Sequence, residues 1–180
     1  MRKLLLASAI LLAPMAAPLA AMAQTSTMSD TSSSMSSSKA LSAQDQKFIK
    51  LAATAGMYEV QAGQLATQKG DSSVQAVGTR MVTDHTKAND QLMGLTQDLG
   101  ATAPTSLTAR QQAMVTKLQG ESGSSFDQTY LAQQKTAHLR AIKVFQTEIA
   151  DGSNPELKSF ASTTLPILKM HLQMIEQAMS

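Results

Sequence analysis

The chain contains no cysteine and no tryptophan, and aromatic residues make up only 3% of it. Without cysteine there is no disulfide framework, no thiolate metal site and no thiol nucleophile, so the fold must be held by core burial alone. The shortage of aromatics, together with the lack of any Lys/Arg cluster, removes both the stacking platform and the phosphate track that a nucleic-acid surface needs. The nine glycines are dispersed, and none falls in a phosphate-cradling loop. No strand-turn-helix nucleophile elbow is present either, since the serines gather in an amino-terminal tract or at helix starts. No stretch alternates apolar and polar residues as a half-buried strand or a membrane barrel would.

One long apolar run exists, and it lies at the amino terminus. Arg2 and Lys3 precede Leu4–Ala13, and small residues follow, ending in Ala21-Met22-Ala23. These are the three parts of a secretory signal, with cleavage expected before Gln24. Pro14 and Pro18 interrupt the run, so it is not read as a membrane span. With no cysteine after the cleavage point, lipoprotein processing is excluded. Removal of residues 1–23 lowers Lys+Arg from 15 to 13 against Asp+Glu of 13, so the mature chain is formally neutral. The whole-chain pI of 8.9 is therefore not the footprint of a polyanion-binding protein.

Residues 24–40 are rich in Ser and Thr, with Met28 and Met35 the only large apolar side chains. Such a tract cannot bury enough surface to offset its ordering entropy, and it reads as a disordered tether. The remainder, 41–180, reads as one domain of helices. Ser42 and Asp45 form a capping-box start to a first helix that runs to Lys69, where Gly70 and Asp71 break it. A second helix starts near Ser72 or Ser73, repeats apolar or small residues at three-and-four spacing from Val74 to Leu99, and ends at Gly100. A short helix over Leu107–Leu118 follows the extended segment "TAPTSL". A third long helix, capped by Ser124 or Ser125, reaches Ala150. A fourth opens with Asn154 as cap and Pro155 at its first position, and is interrupted by Pro166. The fold class is thus all-α, a four-helix bundle. The connection from the second to the third long helix, about 23 residues, is long enough to return along the bundle, as ferritin-like topology requires.

Four ionisable residues occupy the buried stripes. Glu59 has Ala52, Ala55, Gly56, Ala62, Gly63 and Ala66 around it on its face, all small. His85 sits among Met81, Val82, Ala88 and Leu92; His138 among Leu131, Ala141, Ile142 and Phe145; His171 among Ile167, Leu168, Met174 and Ile175. There are only three histidines, and with Glu59 they fall one per long helix. A rise of about 1.5 Å per residue places all four near the middle of a bundle roughly 40 Å long. Three imidazoles and a carboxylate suit iron, zinc or copper. A dinuclear carboxylate centre would need Glu-x-x-His on two helices, but Val82, Lys135 and Leu168 stand three before the histidines. The same four residues can equally form a hydrogen-bonded polar network that fixes helix register. Asp84 reads as a flanking charge or as support for a neighbouring ligand, and Glu148 as a surface partner for a Lys or Arg one turn away.

The blocks "AATAGMYEVQAGQLATQKG", "VGTRMVTDHTKANDQL" and "FDQTYLAQQKTAHLRAIKVFQTEIADGSNPELKSFASTTLPILKMHLQM" resemble a bacterial exported domain-of-unknown-function family, often labelled as outer membrane proteins. The resemblance covers roughly residues 42–178. It implies a ferritin-like fold and a periplasmic or envelope-associated setting, and it implies no activity. The reading from sequence is therefore a non-enzymatic exported bundle, able to engage an envelope protein partner, with a buried Glu/His cluster. The alternative is a metal-binding storage or redox protein using Glu59, His85, His138 and His171.

Overall fold

The computed structural model describes residues 40–180. The expected signal sequence and nearly all of the expected tether lie outside the described residues. Among those described, every regular element is helical: α1 (Ala43–Lys69), α2 (Ser72–Asp98), α3 (Ala109–Gly120), α4 (Gly123–Asp151) and α5 (Pro155–Ala178). The chain is an all-α bundle of four long helices with a short one in the α2–α4 connection, as the sequence predicts. Among the described residues, no helix is long and apolar enough to cross a membrane.

Each start has a local chemical cause. Ser42 and Asp45 form a reciprocal capping box at α1, and Thr108 and Gln111 form another at α3. Asp71, rather than either serine after it, caps α2 by accepting from the Val74 N–H at 2.9 Å. Asn154 caps α5, with Pro155 in the first turn. α4 begins two or three residues earlier than expected, with Ser122 at the cap position but no side-chain bond to the helix. The Asp127 carboxylate, in its second turn, instead accepts from the Asp71 N–H at 3.2 Å.

α5 runs unbroken through Pro166, where the sequence predicts an interruption. Proline removes one helical hydrogen bond, but Leu157, Phe160, Ala161, Thr164, Leu168, His171 and Ile175 are buried on one continuous face. The packing of that face outweighs the single lost bond.

α1 packs against α2 and α4, and α5 against α4 and α2. The α1–α2 contact is close because neither helix carries side chains there: a Cβ on Gly63 would lie 2.9 Å from the Gly78 carbonyl oxygen. Helix directions follow from the contacts at the ends. Asp45, at the start of α1, accepts from the backbone N–H groups of Ser153 and Asn154 at the start of α5. Lys69, at the end of α1, donates to the carbonyls of Leu118 and Gln119 at the end of α3, just before α4 begins. α1 and α5 therefore run one way, and α2 and α4 the other. The α2–α4 connection returns the length of the bundle, the single long crossover of ferritin-like topology.

Two apolar clusters fill the interior. Phe48, Ile49, Leu92, Phe145, Leu157 and Phe160 make one end, and Val74, Met81, Leu118, Phe126, Leu131 and Ile175 the other. Glu148 belongs to the first end and corrects the expectation of a surface ion pair. It is fully buried, its carboxylate accepts from Gln44 Nε2 at 3.0 Å, and burial pushes its pKa up. The α1 amino terminus covers it, and Gly152 leaves room where a Cβ would collide with it.

Asp45 joins the starts of α1 and α5 through one carboxylate. It accepts from Ser42 N and Oγ at 2.8 and 2.7 Å, from Ser153 N and Oγ at 2.9 and 2.6 Å, and from Asn154 N at 3.2 Å. Burial alone would push its pKa up, but these donors outweigh burial and hold it well below the usual carboxylate range. Asp45→Ala should therefore cost about 2–4 kcal/mol at pH 7, measured by urea unfolding. A carboxyl that titrates lower when folded binds fewer protons there than in the unfolded chain. Its contribution is complete above its ordinary value of 3.8 and is lost as the pH falls below it. The gap between wild type and variant should accordingly narrow between about pH 5 and pH 2.

Candidate metal centre

Between the two apolar clusters lies a polar level. α2 contributes His85, α4 contributes His138 and α5 contributes His171, with exposures of 8%, 1% and 0%. Their ring centroids form a near-equilateral triangle with sides of 5.7, 5.3 and 5.4 Å. One nitrogen of each ring lies within 4.8 Å of the other two. Three residues from separate helices, 53 and 33 positions apart in the chain, thus converge at one point.

Hydrogen bonding fixes which nitrogens are free. His138 Nδ1 lies 3.0 Å from the Gln134 carbonyl oxygen, which can only accept, so Nδ1 carries the proton and Nε2 holds a lone pair. His171 Nε2 lies 2.8 Å from Asp84 Oδ2 and donates to it, which leaves Nδ1 with a lone pair. These two lone-pair nitrogens, His138 Nε2 and His171 Nδ1, face each other at 3.4 Å. In the neutral rings no proton lies between them. His85 Nε2, also buried, has no hydrogen-bond partner. Burial lowers the pKa of all three rings: His85 well below its ordinary value, with repulsion from the other two rings adding to the effect, and His138 to about 4. His171 is lowered too, burial outweighing the opposing pull of Asp84. The rings are neutral at pH 7, with lone pairs available.

Asp84 is the residue whose role the sequence left open between flank charge and ligand support. Its Oδ2 accepts from both His171 Nε2 and Arg80 Nε, the latter at 2.6 Å. A carboxylate behind an imidazole is the arrangement that orients metal-binding histidines. Lys135 points away from the level and pairs with Glu176 at 3.0 Å.

Glu59 stands apart from the three nitrogens. Its Oε1 lies 4.0 Å from His138 Nδ1, the nitrogen on the far side of the ring from the triangle. It is 3% exposed, its Oε2 has no partner, and burial, opposed by Gln134, raises its pKa to about 8. With His85 and His138 it lines a cavity of about 30 Å³, enough for a water molecule. The structure thus brings together three of the four predicted site residues and sets the fourth behind one of them.

A family model described as "Domain of unknown function (DUF4142)" matches residues 30–178. No curated protein matches the chain. Among solved structures, the crystal structure of a DUF305 fragment from Deinococcus radiodurans is similar, with a TM-score of 0.68 and 10% sequence identity. The match covers 76% of this chain and 95% of that one. At that identity the likeness concerns the fold alone.

A buried ring nitrogen without a partner costs stability in the metal-free protein, and leucine has a similar volume. His85→Leu should therefore leave metal-free stability unchanged or raise it by about 1 kcal/mol, whereas Phe48→Ala, in the apolar end, should lose about 3–5 kcal/mol. Urea unfolding in the presence of a chelator measures both.

Proposed function

We propose that this chain, which belongs to the DUF4142 family of domains of unknown function, is an exported envelope protein that holds one transition-metal ion on His85, His138 and His171. The observation that carries this reading is the facing pair of lone-pair nitrogens, His138 Nε2 and His171 Nδ1, 3.4 Å apart. Two acceptors at that separation repel each other unless a cation or a proton lies between them. A protonated His171 would satisfy the pair, but burial disfavours the charged ring. Two nitrogens bound to one tetrahedral ion, with bonds near 2.0–2.1 Å, stand about 3.3 Å apart. The unpartnered His85 Nε2 supplies the natural third ligand.

Neutral imidazoles without thiolate suit Zn(II), Cu(II) or Fe(II). Three protein ligands leave a coordination position for water or a small ligand. The Gln134 carbonyl orients His138, and Asp84 orients His171. Export is supported by the pattern of residues 1–23 and by the formally neutral, cysteine-free remainder.

Protein prepared without a histidine tag, stripped with chelator and titrated with Co(II) or Zn(II), should bind one ion per chain with Kd on the order of 1 μM or tighter. His138→Leu should abolish this binding. Asp84→Asn, which keeps the shape but loses the carboxylate, should weaken it about 10- to 100-fold. If none of Co(II), Zn(II), Cu(II) and Fe(II) binds, or if His138→Leu binds as well as wild type, the reading is wrong. Export predicts that mass spectrometry of the envelope fraction finds a chain beginning at Gln24; full-length chain confined to the cytosol would contradict it.

A further inference from the structure

A second opening lies on the other side of Glu59. Between α1, α3 and α4 is a pocket of about 170 Å³. Its walls are largely apolar and include Leu51, Ala55, Met114, Ala137 and Val144. Glu59 reaches it from the core, buried and with Oε2 unpartnered. Arg110 and Arg140 also line it, both exposed and neither in an ion pair among the described residues. No other charged side chain lines it.

Arg110 occupies the first turn of α3, where the helix already presents its positive end and no acidic residue offsets it. A cation there is unfavourable for the helix itself. With Arg140 also on the lining, the pocket carries two cations without ion-pair partners among the described residues, over a largely apolar interior that the Glu59 carboxyl group reaches. The volume is close to that of a cavity that accepts a single benzene-sized ring, roughly 150 Å³.

We infer that this pocket binds a small aromatic carboxylate bearing a hydroxyl group, with its carboxylate at Arg110 and Arg140, its ring against the apolar walls and its hydroxyl on Glu59. The complementarity is threefold. Paired guanidinium groups favour a carboxylate over a neutral group. The other polar side chains of the lining, Thr54, Tyr58, Thr108, Gln111 and Thr136, already hold hydrogen bonds within the protein, so the largely apolar wall favours a ring over a sugar or a peptide. The buried Glu59 carboxyl group, which has an oxygen without a partner among the described residues, gains a hydrogen bond from the ligand. The site is separate from the histidine triangle, because the Glu59 side chain and the His138 ring stand between them, and it does not depend on a bound metal.

The test is binding of 4-hydroxybenzoate to the purified metal-free protein, followed by amide chemical shifts. A ligand of this size should saturate with Kd on the order of 1 mM or tighter. Shifts should centre on Ala55, Met114 and Ala137. The double variant Arg110→Ala/Arg140→Ala, which changes only exposed side chains, should weaken binding about tenfold. Benzoate, lacking the hydroxyl, and phenol, lacking the carboxylate, should each bind at least about threefold more weakly. Ala137→Leu, which fills the pocket, should abolish binding while retaining the wild-type spectrum elsewhere. No saturation, shifts centred away from the pocket, phenol binding as tightly as 4-hydroxybenzoate, or the double arginine variant binding unchanged would each overturn the proposal.

Discussion

Two imidazole nitrogens, each stripped of its proton by a hydrogen bond on the opposite side of the ring, face one another in the middle of the bundle. Everything notable about the interior follows from holding them there. His138 is fixed by a backbone carbonyl one turn earlier on its own helix, and His171 by a carboxylate from a different helix. Neither partner can give up a proton, so His138 is held with its proton on Nδ1 and His171 with its proton on Nε2, and the two lone pairs face each other. A hydrophobic layer of the same volume would pack without this frustration. The bundle instead keeps three neutral donors at one level, between two apolar clusters that hold the helices at fixed distances.

The ends of the bundle make that level rigid. Asp45 gathers the beginnings of α1 and α5, and Glu148 is buried beside it, so the helices that carry His138 and His171 are tied close to where they meet. At the other end, Lys69 binds the last carbonyls of α3 and lies over the Phe126 ring at 5.4 Å. Small residues along α1 let α2 approach until backbone meets backbone at Gly63 and Gly78. That close approach brings His85 to within 5.7 Å of the other two ring centres.

Much of this was legible in the sequence. The helical periodicity, the capping boxes and the Pro155 start set the elements almost residue by residue. The length of the α2–α4 connection indicated the crossover, and the one-per-helix placement of His85, His138 and His171 indicated their convergence. What escaped is what depends on side-chain direction across helices. Glu59 shares the level, yet rotation about the α1 axis sets it behind His138 rather than among the three converging nitrogens. Asp84 is adjacent to His85 in sequence but serves His171, a contact between α2 and α5 that no spacing rule along one helix reveals. Glu148 sits on a face that looks exposed until the α1 amino terminus covers it. Pro166 breaks the local rule for helix interiors, and only the continuity of the buried face explains why α5 runs on.

The fold contributes position and the residues contribute chemistry, and here the two separate cleanly. A likeness at 10% identity extends over most of the bundle, so the helical frame is shared where few residues are. The histidine triangle is a property of this chain's own residues. Its most direct test is a crystal structure of the protein grown with Zn(II) and measured at the zinc absorption edge. The account predicts one anomalous peak per chain, bonded at about 2.0–2.1 Å to His138 Nε2, His171 Nδ1 and a nitrogen of His85. A structure with no peak there, and with His138 and His171 joined by a shared proton instead, would contradict it.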